Sequence, residues 1–202
     1  MSPVHEAFTV SRGAIFFDRD GVLIRHVHHL HRVSDVELEE GAREAVAAAN
    51  AAGWPAIVVT NQSVVARGLC DEAELARIHA RVFELLAPAR IDALYYCPHF
   101  PPAPGEDETP PYAVVCDCRK PASGMLRRAA AEHDLDLARS LLIGDTTGDI
   151  EAAARAELTS VLVETGYAGS DGKYATPATR RCANVREAVG WWLDEAAKRS
   201  DA

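Results

Sequence analysis

Two aspartates one residue apart, Asp18 and Asp20, follow a short apolar run and are the first candidates for chemistry in this sequence. Asp145 follows a second apolar run far along the chain, and Asp149 stands four residues after it. Mg²⁺ prefers hard carboxylate oxygens and completes its shell with water and substrate phosphate. We therefore expect a Mg²⁺ site formed by Asp18, Asp20 and Asp145, with Asp149 as a further candidate ligand.

A phosphoryl group at such a site needs a nucleophile, a proton donor for the leaving oxygen, and positive charge near its equatorial oxygens. Asp18 can serve as the nucleophile, Asp20 as the general acid and base, and Lys120 as the fixed positive charge. Phosphate monoesters are so stable in water that their enzymes approach an acceleration of ~10²¹. Covalent catalysis combined with electrostatic clamping meets that demand, so these residues predict a phosphatase.

Short apolar runs precede these polar positions, and helical patterns separate the runs. Buried strands are predicted at Ala14–Phe17, Ala56–Val59, Leu94–Tyr96, Leu141–Ile143 and Val161–Val163. Helices are predicted over Gly41–Ala52, from Asp71 through Leu86, from Ser123 to about His133, from about Asp149, and from Val185 through Leu193. Strands that alternate with helices indicate an α/β fold, namely a Rossmann-like, doubly wound, mostly parallel sheet with helices on both faces.

The carboxyl ends of the predicted strands carry the candidate catalytic residues. Asp18 follows the first strand, Thr60 and Asn61 follow the second, and Asp145 follows the fourth. Open α/β sheets bind their ligands at the carboxyl ends of the strands. Because unrelated strand ends rarely converge on complementary chemistry, we interpret these side chains as one catalytic site and not as ordinary loop residues.

A second set of candidate metal ligands flanks one irregular loop. Its members are Cys97 with His99, and Cys116 with Cys118. Three thiolates and one imidazole suit tetrahedral Zn²⁺, and a closed set of four ligands is typical of a structural site. The stretch Pro98–Pro111 contains six prolines and has little to bury, so a metal ion would pin its two ends. Such a site would also fix Arg119 and Lys120 beside the catalytic residues.

The size and charge of the chain limit its organisation and partners. It has 202 residues, 48% of them apolar, which is enough for a core and favours one domain over residues 1–202. The irregular zinc loop at about residues 97–118 is small, so we expect a minimal cap over the site. A net charge of −9 and a pI of about 5.3 differ from the basic face of a nucleic-acid binder, so no nucleic-acid partner is expected.

The compartment can also be predicted from the sequence. Met1–Val10 lacks the basic and apolar regions of a secretory signal, and no apolar run approaches the length of a membrane span. An odd number of cysteines without such a signal points to a reducing compartment. We therefore expect a cytoplasmic protein without a membrane partner. We also expect it to be a monomer. Cys70 and Cys182 stand apart from the other cysteines and are interpreted as packing residues.

Four motifs carry a resemblance to a known family. FFDRDG (Phe16–Gly21), VVTNQS (Val58–Ser63), CRKP (Cys118–Pro121) and IGDTTGD (Ile143–Asp149) resemble, in order, the four motifs of the haloacid dehalogenase-like phosphatases. The resemblance covers the chain from about Ala14 to Val163. It implies that Asp18 becomes an aspartyl phosphate, and that Asp20 protonates the leaving group and then activates water.

The same resemblance assigns the remaining site residues. It implies that Thr60 and Asn61, with their neighbours Gln62 and Ser63, hold the phosphate and that Lys120 neutralises it. The implied Mg²⁺ ligands are Asp18, the backbone carbonyl of Asp20, and Asp145, with Asp149 supporting that end of the site.

Three longer segments resemble a narrower branch, the zinc-containing heptose-bisphosphate and histidinol-phosphate phosphatases, and are most similar to its heptose type. They are TNQSVVARG (Thr60–Gly68), YYCPHFP (Tyr95–Pro101) and VCDCRKP (Val115–Pro121). The resemblance implies a small sugar phosphate as substrate, with Arg67 and Arg119 as anion contacts. Arginine suits this role because its planar fork meets phosphate oxygens bidentately.

One segment departs from the heptose type and leaves alternatives open. Ile24–Leu30 stands where that type usually shows Asn-x-Asp-x-Gly-Tyr-Val, and Ile24 resembles the histidinol-phosphate group. The run RHVHHLHR (Arg25–Arg32) holds four histidines, which could contact an anionic substrate, although we favour a solvated loop. A polynucleotide 3′-phosphatase is disfavoured by the acidic charge balance. A catalytically silent binding protein on the same fold would be expected to lack Asp18 or Asp20, and both are present.

Overall fold

A computed structural model describes residues 12–103, 105–107 and 111–200. The strands are β1 Ile15–Phe17, β2 Ala56–Asn61, β3 Ala93–Cys97, β4 Leu141–Gly144, β5 Thr159–Val163 and β6 Arg180–Cys182. The helices are α1 Ala42–Ala51, α2 Glu72–Leu86, α3 Gly124–His133, α4 Thr147–Arg155 and α5 Val185–Ser200, with 3-10 turns at Val33–Asp35 and Leu137–Arg139. The segment Met1–Val10, where no secretory signal is expected, lies outside the described residues, as do Pro104 and residues 108–110 of the proline-rich stretch.

The six strands form one parallel sheet in the order β3-β2-β1-β4-β5-β6. This order confirms the predicted Rossmann-like, doubly wound fold. The strand order reverses between β1 and β4, which are neighbours with Phe17 paired to Ile143. Ligands of such sheets bind in the crevice at this reversal, so the ends of β1 and β4 are the expected place for a site.

The two faces of the sheet bury separate apolar clusters, because neighbouring residues of a strand point to opposite faces. Ile15 and Phe17 pack with residues of α1, α2 and α5, whereas Phe16 packs with residues of α3 and α4. All three side chains are fully buried. Burial on both faces explains why the sequence of the central strands reads as continuous apolar runs. Helices on both faces thus hold the polar strand ends in fixed positions.

Two helix starts differ in detail from the sequence-based expectation. Helix α4 begins at Thr147, two residues before the predicted start, because Thr146 is its N-cap and forms a capping box with Asp149. Ser123 occupies the N-cap position of α3 as expected, but its side chain makes no capping hydrogen bond. Its hydroxyl accepts a hydrogen bond from Arg127 Nε instead.

Strand β6 was not predicted, because Arg180 and Arg181 are exposed and only Cys182 of the strand is buried. The segment that connects β5 to β6 contains no helix, although the two strands are parallel. In the described parts of Pro98–Pro111 there is neither helix nor strand. None of the helices in the described part of the chain has the length and apolar character needed for a membrane crossing.

Candidate functional site

The ends of β1 and β4 bring three carboxylates together. Asp18 directly follows β1, and its backbone N–H donates to the carbonyl of Ile143 in β4 at 2.9 Å. Asp145 directly follows β4, and Asp149 lies in the first turn of α4. Carboxylate oxygens of Asp18, Asp145 and Asp149 all lie within 4.8 Å of one another, and all three residues are buried. The predicted convergence of distant acidic residues is therefore present in the structure.

Lys120 is the cation in contact with this cluster. Its Nζ atom lies 3.0 Å from Asp18 Oδ1 and 2.6 Å from Asp149 Oδ1, and it donates to the Val59 carbonyl at 2.7 Å. The side chain of Asn61 holds the Lys120 backbone through two hydrogen bonds, each 3.0 Å long. Although burial opposes it, the charges of Asp149 and Asp18 raise the pKa of Lys120, so the ammonium stays protonated.

The cluster carries more negative charge than Lys120 can balance. Burial raises the pKa of Asp145 to about 8, and the charges of Asp18 and Asp149 add to the effect. Burial also raises the pKa of Asp18 to about 6, although Lys120 opposes the change. Among the described residues, Asp18 Oδ1 has no well-oriented hydrogen bond even though Lys120 Nζ is near. Buried acids with unmatched charge and a free oxygen fit a hard divalent cation such as Mg²⁺.

Asp20 belongs to a neighbouring network and not to the carboxylate cluster. Arg19 Nη2 lies 3.0 Å from both oxygens of Asp20, and Gln62 Nε2 donates to Asp20 Oδ2 at 2.8 Å. Gln62 also donates to Thr60 Oγ1 and accepts from Arg19 Nη2, both at 2.8 Å. The side chain of Asp20 is thereby fixed outside the cluster, so the Asp20 carboxylate does not join the other three acids, and its backbone carbonyl remains the candidate Mg²⁺ ligand. Thr60 is buried beneath Gln62.

Arg19 was not singled out in the sequence, although it separates the two aspartates. It is among the largest fully buried side chains, which is unusual for a charged residue that is not paired. Its ion pair with Asp20 supplies the partner. An arginine placed between two acids at the end of an apolar strand was the available signal.

The segment after β5 closes the site from the other side. Tyr167 N donates to Asp145 Oδ2 at 2.8 Å and thereby orients that carboxylate. Gly21 and Gly166 both have positive φ, at 77° and 61°, and a Cβ atom at either position would collide with the Asp145 carboxylate. Only glycine meets both requirements, left-handed backbone and close approach. Gly166 and Tyr167 were not predicted from the sequence because the segment between β5 and β6 forms neither helix nor strand and carries no recognisable motif.

A pocket of about 860 Å³ opens above the carboxylates and is lined by most of the predicted contact residues. These include Asp18, Asp20, Asn61, Gln62, Ser63, Arg67, Arg119, Lys120, Asp145 and Asp149. Arg67 Nε lies 3.4 Å from Ser63 Oγ, and Arg119 Nη1 donates to the His99 carbonyl at 3.1 Å. The guanidinium groups of both arginines lie over the ring of Phe100. The pocket thus has acids at its base and cations at its rim.

The histidine-rich segment forms another part of the pocket wall. His26, His28 and His29 line the pocket, and the His26 ring lies 4.4 Å from the Tyr167 ring. Leu30 is buried in the core cluster and ties the segment to the fold. His28 is exposed and His26 and His29 are half-buried, so the histidine side chains reach solvent while Leu30 anchors the segment.

The four sulfur and nitrogen ligands of the second site also come together. The Cys118 sulfur lies 3.1 Å from that of Cys97, 3.3 Å from that of Cys116 and 3.2 Å from His99 Nδ1. A tetrahedral zinc centre with Zn–S bonds of about 2.3 Å has ligand–ligand edges of about 3.7 Å, so the cluster is close to the required size. All four are compatible with a metal ion, since the cysteines are free thiols. Cys70 and Cys182 lie outside this cluster and pack against apolar residues.

Comparison with known proteins agrees with this geometry. A family model described as HAD-hydrolase-like matches residues 117–188. The D-glycero-D-manno-heptose-1,7-bisphosphate 7-phosphatase of Thermosynechococcus vestitus is 42% identical over 159 residues, which are 77% of this chain and 81% of the relative. The D-glycero-beta-D-manno-heptose-1,7-bisphosphate 7-phosphatase of Escherichia coli K12 is 38% identical over 156 residues, 76% of this chain and 80% of the relative.

A solved structure is similar over nearly the whole chain. The crystal structure of the D,D-heptose 1,7-bisphosphate phosphatase from B. bronchiseptica, complexed with magnesium and phosphate, superimposes with a TM-score of 0.79. The two chains are 34% identical, and the match covers 91% of this chain and 99% of that one.

Proposed function

Since this chain belongs to the haloacid dehalogenase-like phosphatases, in the branch that contains the heptose-bisphosphate enzymes, we propose that it removes the 7-phosphate of D-glycero-D-manno-heptose 1,7-bisphosphate. The observation that carries the proposal is the contact of Lys120 with Asp18 and Asp149 beside Asp145. A nucleophile, a fixed cation and a cation-binding acid pair thereby meet at one point at the sheet edge.

The first half of the reaction uses Asp18 and Asp20. A carboxylate oxygen of Asp18 attacks phosphorus, and the bond between phosphorus and the ester oxygen breaks as the aspartyl phosphate forms. Asp20 gives its proton to the departing sugar oxygen. The hydrogen bonds from Arg19 and Gln62 hold the Asp20 carboxyl group in place for this transfer.

The second half returns the enzyme to its starting state. Asp20, now ionised, takes a proton from water, and the water oxygen attacks phosphorus and releases Asp18 with inorganic phosphate. Lys120 keeps its ammonium group against the phosphoryl oxygens through both halves, because positive charge there stabilises the transition state. Bound Mg²⁺ supplies further positive charge to the same oxygens. Asp18, the backbone carbonyl of Asp20 and Asp145 would hold it, with Asp149 in support.

Arg67 and Arg119 are the proposed contacts for the anionic groups of the substrate. Both line the pocket, and each can meet a phosphate with a planar pair of donors. Thr60, Asn61, Gln62 and Ser63 are the proposed phosphate-binding motif, and the last three line the pocket. Asn61 also holds the Lys120 backbone, and Gln62 donates to both Asp20 and Thr60.

We assign a structural Zn²⁺ to the cluster of Cys97, His99, Cys116 and Cys118, on the basis of its ligand types and spacing. We further propose that residues 1–202 act as one hydrolase domain with its zinc loop at about 97–118. The odd number of cysteines supports a reducing, cytoplasmic compartment, and the acidic balance supports a monomer that uses neither nucleic acid nor membrane as a partner. Light scattering after size-exclusion chromatography tests whether the protein is a monomer, and cell fractionation tests whether it is cytoplasmic.

The deciding experiment measures phosphate release by the purified protein with Mg²⁺. Substrates are D-glycero-D-manno-heptose 1,7-bisphosphate, histidinol phosphate and a panel of other sugar phosphates. We expect kcat/KM to be highest for the heptose bisphosphate. A higher kcat/KM for histidinol phosphate would replace the substrate assignment while keeping the aspartyl-phosphate mechanism.

The variant Asp18→Asn separates an enzyme from a catalytically silent binding protein on the same fold. We expect it to lose phosphate release by at least ~10³-fold, because no other residue can form the covalent intermediate. Its circular dichroism spectrum and zinc content should match those of the wild type. Equal turnover by the variant and the wild type would refute the role of Asp18.

A further inference from the structure

The ring of Phe100 contacts two guanidinium groups at once. The Cζ atom of Arg67 lies 4.1 Å from the ring centroid, and the Cζ atom of Arg119 lies 4.9 Å from it. Both distances are within the range of about 6 Å over which an aromatic face attracts a cation. Two residues that are far apart in sequence, one after β2 and one before α3, therefore share one aromatic partner.

Core packing does not account for Phe100. The residue is 36% exposed and belongs to none of the apolar clusters formed by the described residues. Its backbone is nevertheless fixed, because Phe100 N donates to the Tyr112 carbonyl at 3.0 Å across the loop. Phe100 directly follows His99, and Arg119 donates to the His99 carbonyl at 3.1 Å. The ring thus projects from an anchored piece of the zinc loop into the pocket.

Neither guanidinium forms an ion pair with a carboxylate of the described residues. Two like charges near one another repel, and a flexible arginine would otherwise turn towards water. Contact of both groups with the same aromatic ring lowers the energy of holding them together in the pocket. The pair remains free to bind an anion because its charge is not neutralised by an acid.

We propose that Phe100 is a positioning residue that presents Arg67 and Arg119 as a pair to the phosphate of the substrate that is not transferred. The inference rests on the proposed function, since it takes a bisphosphate as the ligand. It adds a route by which the zinc loop affects substrate affinity without touching the reacting phosphate.

The test compares Phe100→Leu, which removes the ring but keeps apolar bulk, with Phe100→Tyr, which keeps the ring. Both are made in an Asp18→Asn background, so that binding is measured without turnover. Isothermal titration with heptose 1,7-bisphosphate and Mg²⁺ should give a dissociation constant that is about five- to twentyfold higher for Phe100→Leu. Phe100→Tyr should stay within about twofold of its parent.

Steady-state kinetics in the otherwise wild-type enzyme supply the second readout. Phe100→Leu should raise KM for the bisphosphate by a similar factor and change kcat much less, because the pair acts in binding. A matched control is Leu69→Ala, which truncates another exposed apolar side chain, one that does not line the pocket.

Two results would overturn the proposal: equal affinities of Phe100→Leu and its parent, whatever the melting temperature of the variant, or an equal loss of affinity in Phe100→Tyr. If the Asp18→Asn parent does not bind the bisphosphate, the KM comparison in the otherwise wild-type enzyme decides between the same outcomes. Failure of the proposed function looks different, because wild-type enzyme would then release no phosphate from the heptose bisphosphate whatever residue stands at position 100.

Discussion

The side chain of Asn61 brackets the backbone of Lys120: Asn61 Oδ1 accepts from Lys120 N, and Asn61 Nδ2 donates to the Lys120 carbonyl, both at 3.0 Å. The bracket joins the end of β2 to the segment before α3. It fixes the backbone position from which the Lys120 side chain extends. The Lys120 ammonium group then reaches Asp18 and Asp149. Asn61 therefore acts on the proposed catalytic cation through the main chain of Lys120.

Asn61→Ala should lower kcat for phosphate release by about 10- to 100-fold while leaving the fold intact. Both hydrogen bonds to the Lys120 backbone are lost, and a displacement of a catalytic group by about 1 Å costs on the order of 10² in rate. Steady-state kinetics with Mg²⁺ measure the effect, and circular dichroism checks the fold.

The chain supplies a matched control for this variant. Asn50 brackets the backbone of Arg90 with the same pair of hydrogen bonds, 2.7 and 3.0 Å long, at an exposed position away from the pocket. Asn50→Ala should lose about 1 kcal/mol of unfolding free energy and keep its kcat. Similar kcat values for the two variants would contradict a special role of the bracket at Lys120.

The fold could be predicted from the sequence because the central strands are buried on both faces. Runs such as Ala56–Val59 and Leu141–Ile143 are entirely apolar, as expected for strands buried on both faces. The polar residues that follow these runs mark the edge of the sheet where the carboxyl ends of the strands lie. Strand β6 escaped prediction because an edge strand with two exposed arginines lacks that pattern. Its position depends on pairing with β5, which is a tertiary contact.

The site could be predicted only where a residue's type reveals its chemistry. Asp18 carries its charge at a strand end, and Lys120 carries the opposite charge that a phosphoryl group needs, so their meeting was expected. The contact of Tyr167 with Asp145 uses a backbone N–H, which every residue except proline possesses, so no side-chain pattern could indicate it. The pairing of Phe100 with the arginines likewise depends on how the loop folds back.

Asp145→Asn should raise the melting temperature of the metal-free protein and abolish its activity. Burial raises the pKa of Asp145 to about 8, with added effects of Asp18 and Asp149, so its ionised form costs folding free energy at neutral pH. Asparagine keeps the oxygen that accepts from Tyr167 N and removes the charge. We expect a gain of at least ~1 kcal/mol, or about 2–4 °C, by differential scanning fluorimetry in EDTA.

The effect of added Mg²⁺ on the melting temperature should differ between the wild type and Asp145→Asn. Mg²⁺ should stabilise the wild type and leave Asp145→Asn nearly unchanged, because the variant lacks one of the proposed ligands. Asp71→Asn is the control, since it neutralises an exposed N-cap aspartate that asparagine can replace. A melting temperature that falls in Asp145→Asn without metal would contradict the view that the buried acids repel one another.

Cys118→Ser should remove zinc from the protein and reduce kcat/KM by about tenfold or more. Cys118 belongs to the cluster with Cys97, and it immediately precedes Arg119 and Lys120, so release of the loop would disturb both cations. Plasma mass spectrometry should find about one zinc per wild-type chain and almost none in the variant. Cys70→Ser, outside the cluster, should keep both zinc and activity. Unchanged zinc content in Cys118→Ser would refute the assigned ligand.

His79 should make the fold less stable as the pH falls below 6.5. The residue is buried in α2, and burial, followed by the charge of Arg19, lowers its pKa to about 3, while Asp20 opposes the shift. Between pH 6.5 and 3 the unfolded chain binds a proton that the folded chain does not, so stability decreases with decreasing pH. Between pH 7 and pH 5 this group alone should remove about 2 kcal/mol of unfolding free energy.

His79→Gln isolates this contribution. Glutamine cannot titrate in this range, so the difference in unfolding free energy between pH 7 and pH 5, measured with urea, should shrink by about 2 kcal/mol relative to the wild type. Any loss of stability that the substitution causes at both pH values cancels in that difference. His133→Gln is the control, because His133 lies in the exposed last turn of α3 and should leave the difference unchanged. Equal pH dependence in the wild type and His79→Gln would mean that the buried imidazole takes up its proton without unfolding.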